Sequence, residues 1–154
     1  MKILIHPSPA RLENNQQSAK FFPISWWDKV ITAFPKTTFY QIGTRGDEIV
    51  NNCITKFGLS EPEIIKLAKE CDFVVATESF LPHLLHPYNI PCIVLFSRSD
   101  PEIFGYKENI NLIKDRKYIR EDIYGKWITC PVIPEAYIEP EILIKLLKKK
   151  KTKV

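Results

Sequence analysis

Asp72 to Phe96, DFVVATESFLPHLLHPYNIPCIVLF, decides how this chain folds. Two apolar runs, Asp72 to Ala76 and Cys92 to Phe96, flank a polar turn at Thr77 to Ser79 and a helical segment that starts near Ser79 and stops by Pro87. Strands joined through a helix in this way lie parallel. Both runs are nearly continuous in Val, Ile, Leu and Phe, the pattern of strands covered by helices on both faces.

The alternation extends in both directions from this unit. Lys2 to His6 (KILIH) and Thr38 to Ile42 (TFYQI) read as two earlier strands, and Asn111 to Ile113 as a short last one. Ser25 is a candidate N-cap for a helix through Phe34, with Trp26, Trp27, Val30, Ile31 and Phe34 at three-to-four spacing and Pro35 as its stop. Ser60 with Glu63 forms a capping box, with Pro62 in the first turn, for a helix to about Cys71 whose inward face is Ile64, Leu67 and Ala68. Glu139 to Lys150 reads as the final helix, whereas residues 98 to 130 show no regular pattern. The expectation is an α/β fold: one domain over residues 1–147, a parallel sheet flanked by helices, with a basic tail over residues 148–154.

At 154 residues the chain has the length of one domain, and 45% hydrophobic with 26% charged residues is the composition of a folded protein. No apolar segment is long enough to span a membrane, and the run before His6 and Pro7 is too short for a signal-peptide core, so a cytoplasmic protein is expected. The four cysteines, Cys53, Cys71, Cys92 and Cys130, are far apart and have no histidine at metal-ligand spacing. Reduced, mostly buried thiols are expected, with no metal and no cofactor. Without Lys148 to Lys151 and Lys153 the formal charge of +4 becomes −1, so the basic balance belongs to the terminus. No aromatic or arginine platform accompanies it, and a solvated tail is expected rather than a nucleic-acid surface.

Ligands of an open parallel sheet bind beyond the carboxyl ends of its strands. Four loops qualify: His6 to Ser25, Gly43 to Ser60, Thr77 to Pro82, and Ser97 to Gly105. In the third, Thr77, Glu78 and Ser79 lie between a strand and a helix start, where free backbone N–H groups suit a phosphate. The plainer alternative is that Glu78 or Ser79 caps the helix and His83 packs on its side.

Val74 to Gly105 as a whole resembles glycosyltransferase family 9, the lipopolysaccharide heptosyltransferases. Glu78 stands at that family's Asp, Ser79 at its Ser or Thr, and His83 with Leu84 at its His-Leu pair. Asn89 to Pro91 align with a G-x-P element, and Leu95, Phe96 and Pro101 with the L-F and distal Pro. Upstream, Tyr40 to Glu48 (YQIGTRGDE) resembles the family's strand and G-x-x-x-E loop, while IHPSP and AKFFPISWW resemble its H-P-G and K-R-W-P elements.

The resemblance implies a Rossmann-like domain equivalent to the C-terminal, donor-binding half of a GT-B glycosyltransferase. A nucleotide or nucleotide-sugar ligand is implied, as is a separate acceptor-binding half supplying the catalytic base. Lys20 would then neutralise a diphosphate, Glu48 or the adjacent Asp47 would accept from ribose hydroxyls, Ser79 would hold phosphate and Glu78 would face the sugar. His83 would contact phosphate or orient the loop. Phe80, Ser97 and Ser8 each stand where the family has Gly, and Phe80 is expected either to stack on the ligand or to fill the pocket as a plug. A non-catalytic descendant that binds a nucleotide-like metabolite or a protein partner is the alternative, with Phe21, Phe22, Trp26 and Trp27 as candidate anchors, although aromatics at helical spacing are more often core.

Overall fold

In the computed structural model, which describes residues 1–152, six parallel strands form one sheet of order β3-β2-β1-β4-β5-β6. They are β1 Lys2–His6, β2 Thr38–Gly43, β3 Ile54–Phe57, β4 Phe73–Thr77, β5 Ile93–Leu95 and β6 Ile110–Leu112. The first strand is central, with Leu4 level with Tyr40 of β2 on one side and Val74 of β4 on the other. Five of the six were legible from their apolar runs. The exception, β3 (ITKF), falls inside what reads as a loop; its first three residues are exposed, and pairing to β2 rather than burial makes it a strand.

Side chains alternate across the pleat and so divide the core in two. Ile3, Ile5, Val75, Ile93 and Leu95 face helices α1 (Ile24–Thr32) and α5 (Pro140–Lys151). Leu4, Val74, Ala76, Val94 and Phe96 face α2 (Glu61–Lys69) and α3 (Phe80–Leu85). Trp26 and Trp27, weighed above as docking anchors, are 7% and 0% exposed together with Phe22 at 0%, and belong to the first core. Trp26 Nε1 donates to Ile138 O at 2.6 Å, which ties α1 to the approach to α5.

Ser60 and Glu63 make the expected capping box. The buried face of α2 is Ile64, Ile65 and Ala68, so Leu67 sits at its margin rather than inside. Ser25 is not a cap: Pro23 takes that position, and with no hydroxyl to offer it leaves α1 without a side-chain cap. A short helix α4 (Pro101–Phe104) was not foreseen. Its cap is Asp100, whose carboxylate accepts Glu102 N at 2.9 Å and both terminal nitrogens of Arg116 at 3.0 and 2.9 Å.

Beyond β6 the chain runs through isolated 3₁₀ turns to α5. The basic run begins as the last turn of α5, Lys148 to Lys151, while Lys153 lies outside the described residues. All four cysteines are free, but only Cys92 is buried; Cys53 and Cys71 are partly exposed because they lie at the margins of the two cores, and Cys130 is partly exposed outside both. No helix among the described residues is long and apolar enough to cross a membrane.

Trp27 is fully buried, and its Nε1 finds no hydrogen-bond partner among the described residues. Trp27→Ala is expected to cost about 3 to 5 kcal/mol by opening a cavity. Trp27→Phe keeps a ring and removes the unpaired donor, so its loss should be clearly smaller. Urea unfolding of both variants measures the difference.

Candidate functional site

β1 hands the chain to α1 on one face of the sheet, and β4 hands it to α3 on the other. Adjacent parallel strands whose connections leave on opposite sides open a crevice beyond their carboxyl ends. A cavity of about 970 Å³ lies there. Its walls come from three of the four expected loops: His6 to Lys20, Gly43 to Glu61, and Glu78 to His83.

Six of the seven candidate residues meet in this cavity: Lys20, Asp47, Glu78, Ser79, Phe80 and His83. Glu48 does not, since its side chain is exposed elsewhere and its carbonyl accepts Gln41 Nε2 at 2.8 Å. Between the two adjacent acids the fold therefore selects Asp47. The turn that aims it has Asp47 N donating to Thr44 O at 3.1 Å and Asp47 Oδ2 accepting Thr44 N at 2.8 Å. Gly46 supplies the φ of +95° that this turn needs, and a Cβ at Gly43 would collide with Asp47 Oδ2. The pattern G-T-R-G-D thus encodes a held carboxylate.

The start of α3 departs from the alternative in which Glu78 or Ser79 caps it, and its end carries less dipole charge than expected. This helix has only six residues, so few peptide dipoles add up, and no side chain caps it. Ser79 Oγ instead donates to Thr77 O at 3.0 Å and lies 3.0 Å from His6 Nδ1. When Ser79 gives its proton to Thr77 O, Nδ1–H of His6 donates to Oγ, and Nε2 is the ring's remaining acceptor. Ser79 is thereby a positioning residue for His6. The imidazole is 3% exposed, and burial lowers its pKa to about 4, against a smaller opposing effect from the Asp47 carboxylate.

Phe80 is 48% exposed, and its ring meets His6 edge-on at 4.9 Å. A plug would be buried, so the ring lies on the rim, where it can stack on a ligand. His83 is also exposed, with Nδ1 2.7 Å from the Tyr106 hydroxyl. Lys20 Nζ lies 3.3 Å from Glu78 Oε2, and the same oxygen accepts Ser99 Oγ at 3.1 Å. Ser8 lines the cavity with a buried hydroxyl that has no partner among the described residues, whereas Ser97 is elsewhere: its hydroxyl donates to Ala19 O at 2.6 Å and fastens the first loop to the end of β5. The fourth loop lines a smaller neighbouring cavity of about 250 Å³ through Ser99 and Phe104.

His6, Arg11, Arg45 and Glu61 also line the main cavity and were not singled out from the sequence. His6 alone among them had a signal in the sequence, its position at a strand's carboxyl end and its match to the histidine of the H-P-G element. With Lys20, Asp47 and Glu78 they bring three cations and three carboxylates to the lining.

No protein-family model matches the chain, and no curated protein does. Among solved structures, the fold is similar to the crystal structure of the glycosyl transferase family 9 protein from Veillonella parvula DSM 2008, with a TM-score of 0.69 at 13% identity. The alignment covers 100% of this chain and 47% of that one, so the chain spans about half the length of the protein it matches. At this identity the likeness establishes the fold.

His6 also provides a test of the geometry through pH. Its folded pKa lies below the unfolded value of 6.5, so its contribution to stability is complete above pH 6.5 and is lost as pH falls toward about 4. Wild-type protein should lose up to about 3 kcal/mol across that window relative to His6→Gln, as measured by urea unfolding at each pH.

Proposed function

We propose that this chain is the donor-binding unit of a glycosyltransferase and holds a nucleotide-diphosphate-sugar in the cavity at the ends of β1, β2 and β4. The observation that carries the reading is the convergence of Lys20, Asp47, Glu78, Ser79, Phe80 and His83, chosen from three separated stretches of sequence, on one cavity at the switch point of the sheet. Its volume of about 970 Å³ falls within the range of small-molecule sites.

In this reading Asp47 accepts hydrogen bonds from the ribose diol, for which a fixed carboxylate is a strong acceptor. The exposed face of Phe80 stacks on the ligand. Lys20 and the uncapped N–H groups at the start of α3 meet the diphosphate. In transfer, an acceptor hydroxyl attacks the anomeric carbon while the bond from that carbon to the diphosphate oxygen breaks and its electron pair leaves with the diphosphate. The hydroxyl proton passes to a base on a separate acceptor-binding half, and Lys20 stabilises the charge that develops on the leaving group. The family 9 structure is more than twice as long as this chain, which supports the need for such a half.

One observation favours the non-catalytic reading. Glu78 already pairs with Lys20, so a diphosphate must compete for that ammonium group. A domain that binds a nucleotide-like metabolite without turning it over tolerates such a pairing.

Titration calorimetry with ADP, UDP, GDP and CDP tests the shared premise. At least one should bind, and Lys20→Gln should weaken it about tenfold or more, as expected for a hydrogen bond to a charged group. Glu48→Gln, outside the cavity, should leave the affinity unchanged. Absence of binding by every nucleotide at millimolar concentration would sink both forms of the proposal.

A further inference from the structure

The smaller cavity, of about 250 Å³, lies below the usual range for a whole ligand and is sized for one group of it. It shares Glu78 with the main cavity, and the Lys20–Glu78 pair forms part of the partition between them. Lys20 Nζ also sits 5.0 Å from the ring centroid of Trp127, which lines the smaller cavity. A ligand whose diphosphate reaches Lys20 therefore has its next group at this opening.

Arg120 dominates the chemistry of that space. It is 8% exposed, with its guanidinium carbon 3.7 Å from the Trp127 ring centroid. Nη1 donates to Gly125 O at 2.8 Å and Nη2 to Ile123 O at 3.0 Å, while Nε is buried with no partner among the described residues. Two neutral carbonyls and an aromatic face hold the guanidinium, and among the described residues no carboxylate forms an ion pair with it. A buried guanidinium without a counter-charge is costly, and a carboxylate matches its planar fork. Glu78 does not fill that role: its Oε2 is occupied by Lys20 and Ser99, which leaves Oε1 as an acceptor for a hydroxyl.

We propose that the smaller cavity is a subsite for a hydroxylated group bearing a carboxylate, a sugar acid, with Arg120 holding the carboxylate and Glu78 accepting a hydroxyl. The inference rests on the nucleotide-sugar reading and specifies its substrate class. Arg120 becomes the residue that selects acidic over neutral sugars. Tyr124, the most exposed large hydrophobic side chain among the described residues at 77%, stands at the edge of this cavity where the sugar would enter.

Calorimetry with a nucleoside diphosphate, its glucose ester and its glucuronate ester tests this, using whichever of UDP, ADP, GDP or CDP binds. Wild-type protein should bind the glucuronate ester about tenfold or more tightly than the glucose ester. Arg120→Gln should abolish that preference while leaving affinity for the plain nucleoside diphosphate within about twofold, and Arg120→Lys should retain part of the preference. A merely structural Arg120 would lower the melting temperature without changing the ratio of the two sugars. A glucose ester that binds as well as the glucuronate ester in wild-type protein overturns the inference, and this comparison needs no variant to fold. A preference that survives Arg120→Gln overturns it as well. Failure of every nucleoside diphosphate to bind removes the nucleotide reading and this subsite together, whereas nucleotide binding without acid preference removes the subsite alone.

Discussion

The hydrogen-bonded pairing of β1 between β2 and β4 is the constraint on which the rest of the molecule depends. Ile3, Leu4 and Ile5 are at most 1% exposed, so the sheet cannot form around a displaced first strand. Because β1 and β4 are neighbours and their connections depart to opposite faces, their carboxyl ends are left uncovered by either helix. His6 and Ser79, 73 positions apart in the chain, come within 3.0 Å at that gap. The cavity is a consequence of strand order before any of its side chains is considered.

Electrostatics then sets what the cavity can hold. The acidic and basic side chains lining it balance in number, and the most enclosed pair, Lys20 with Glu78, is already satisfied within the protein. His6 adds no charge near neutral pH because burial holds it in the neutral form. The proposed reading therefore requires a diphosphate to draw on backbone N–H groups and on partial release of Lys20 from Glu78. The same pair separates the main cavity from one where Arg120 forms no ion pair among the described residues. Each cavity is lined by equal numbers of acidic and basic side chains, but in the smaller one Glu78 is paired with Lys20 and not with Arg120.

Departures from local rules are concentrated around the same region. Ser79 begins α3 without capping it because His6 and Thr77 compete for its hydroxyl, and a hydrogen bond to a buried imidazole is not replaceable by water. Ser97 stands at the end of β5, yet it faces away from the cavity and fastens the first loop at Ala19. Asp100 caps α4 and holds Arg116 on the same carboxylate, stabilising a segment that has no sheet to lean on. Each of these residues joins segments distant in sequence, so none can be assigned by spacing alone.

The sequence by itself determined the parallel sheet, five of its six strands, the capping box at Ser60 and the loops that meet at the site. Those features rest on apolar runs and on side-chain to backbone bonds spanning a few residues, which are local quantities. Tertiary structure alone decided that β3 is a strand, since ITKF buries little and is ordered by its neighbour β2. It also decided that Asp47 rather than Glu48 faces the cavity, that Phe80 lies on the rim, and that Arg120 is buried with no ion pair among the described residues. Each of these depends on which segments the fold places opposite a given side chain. That pairing is set by long-range packing of the sheet and its covering helices and has no counterpart in a local pattern of residues.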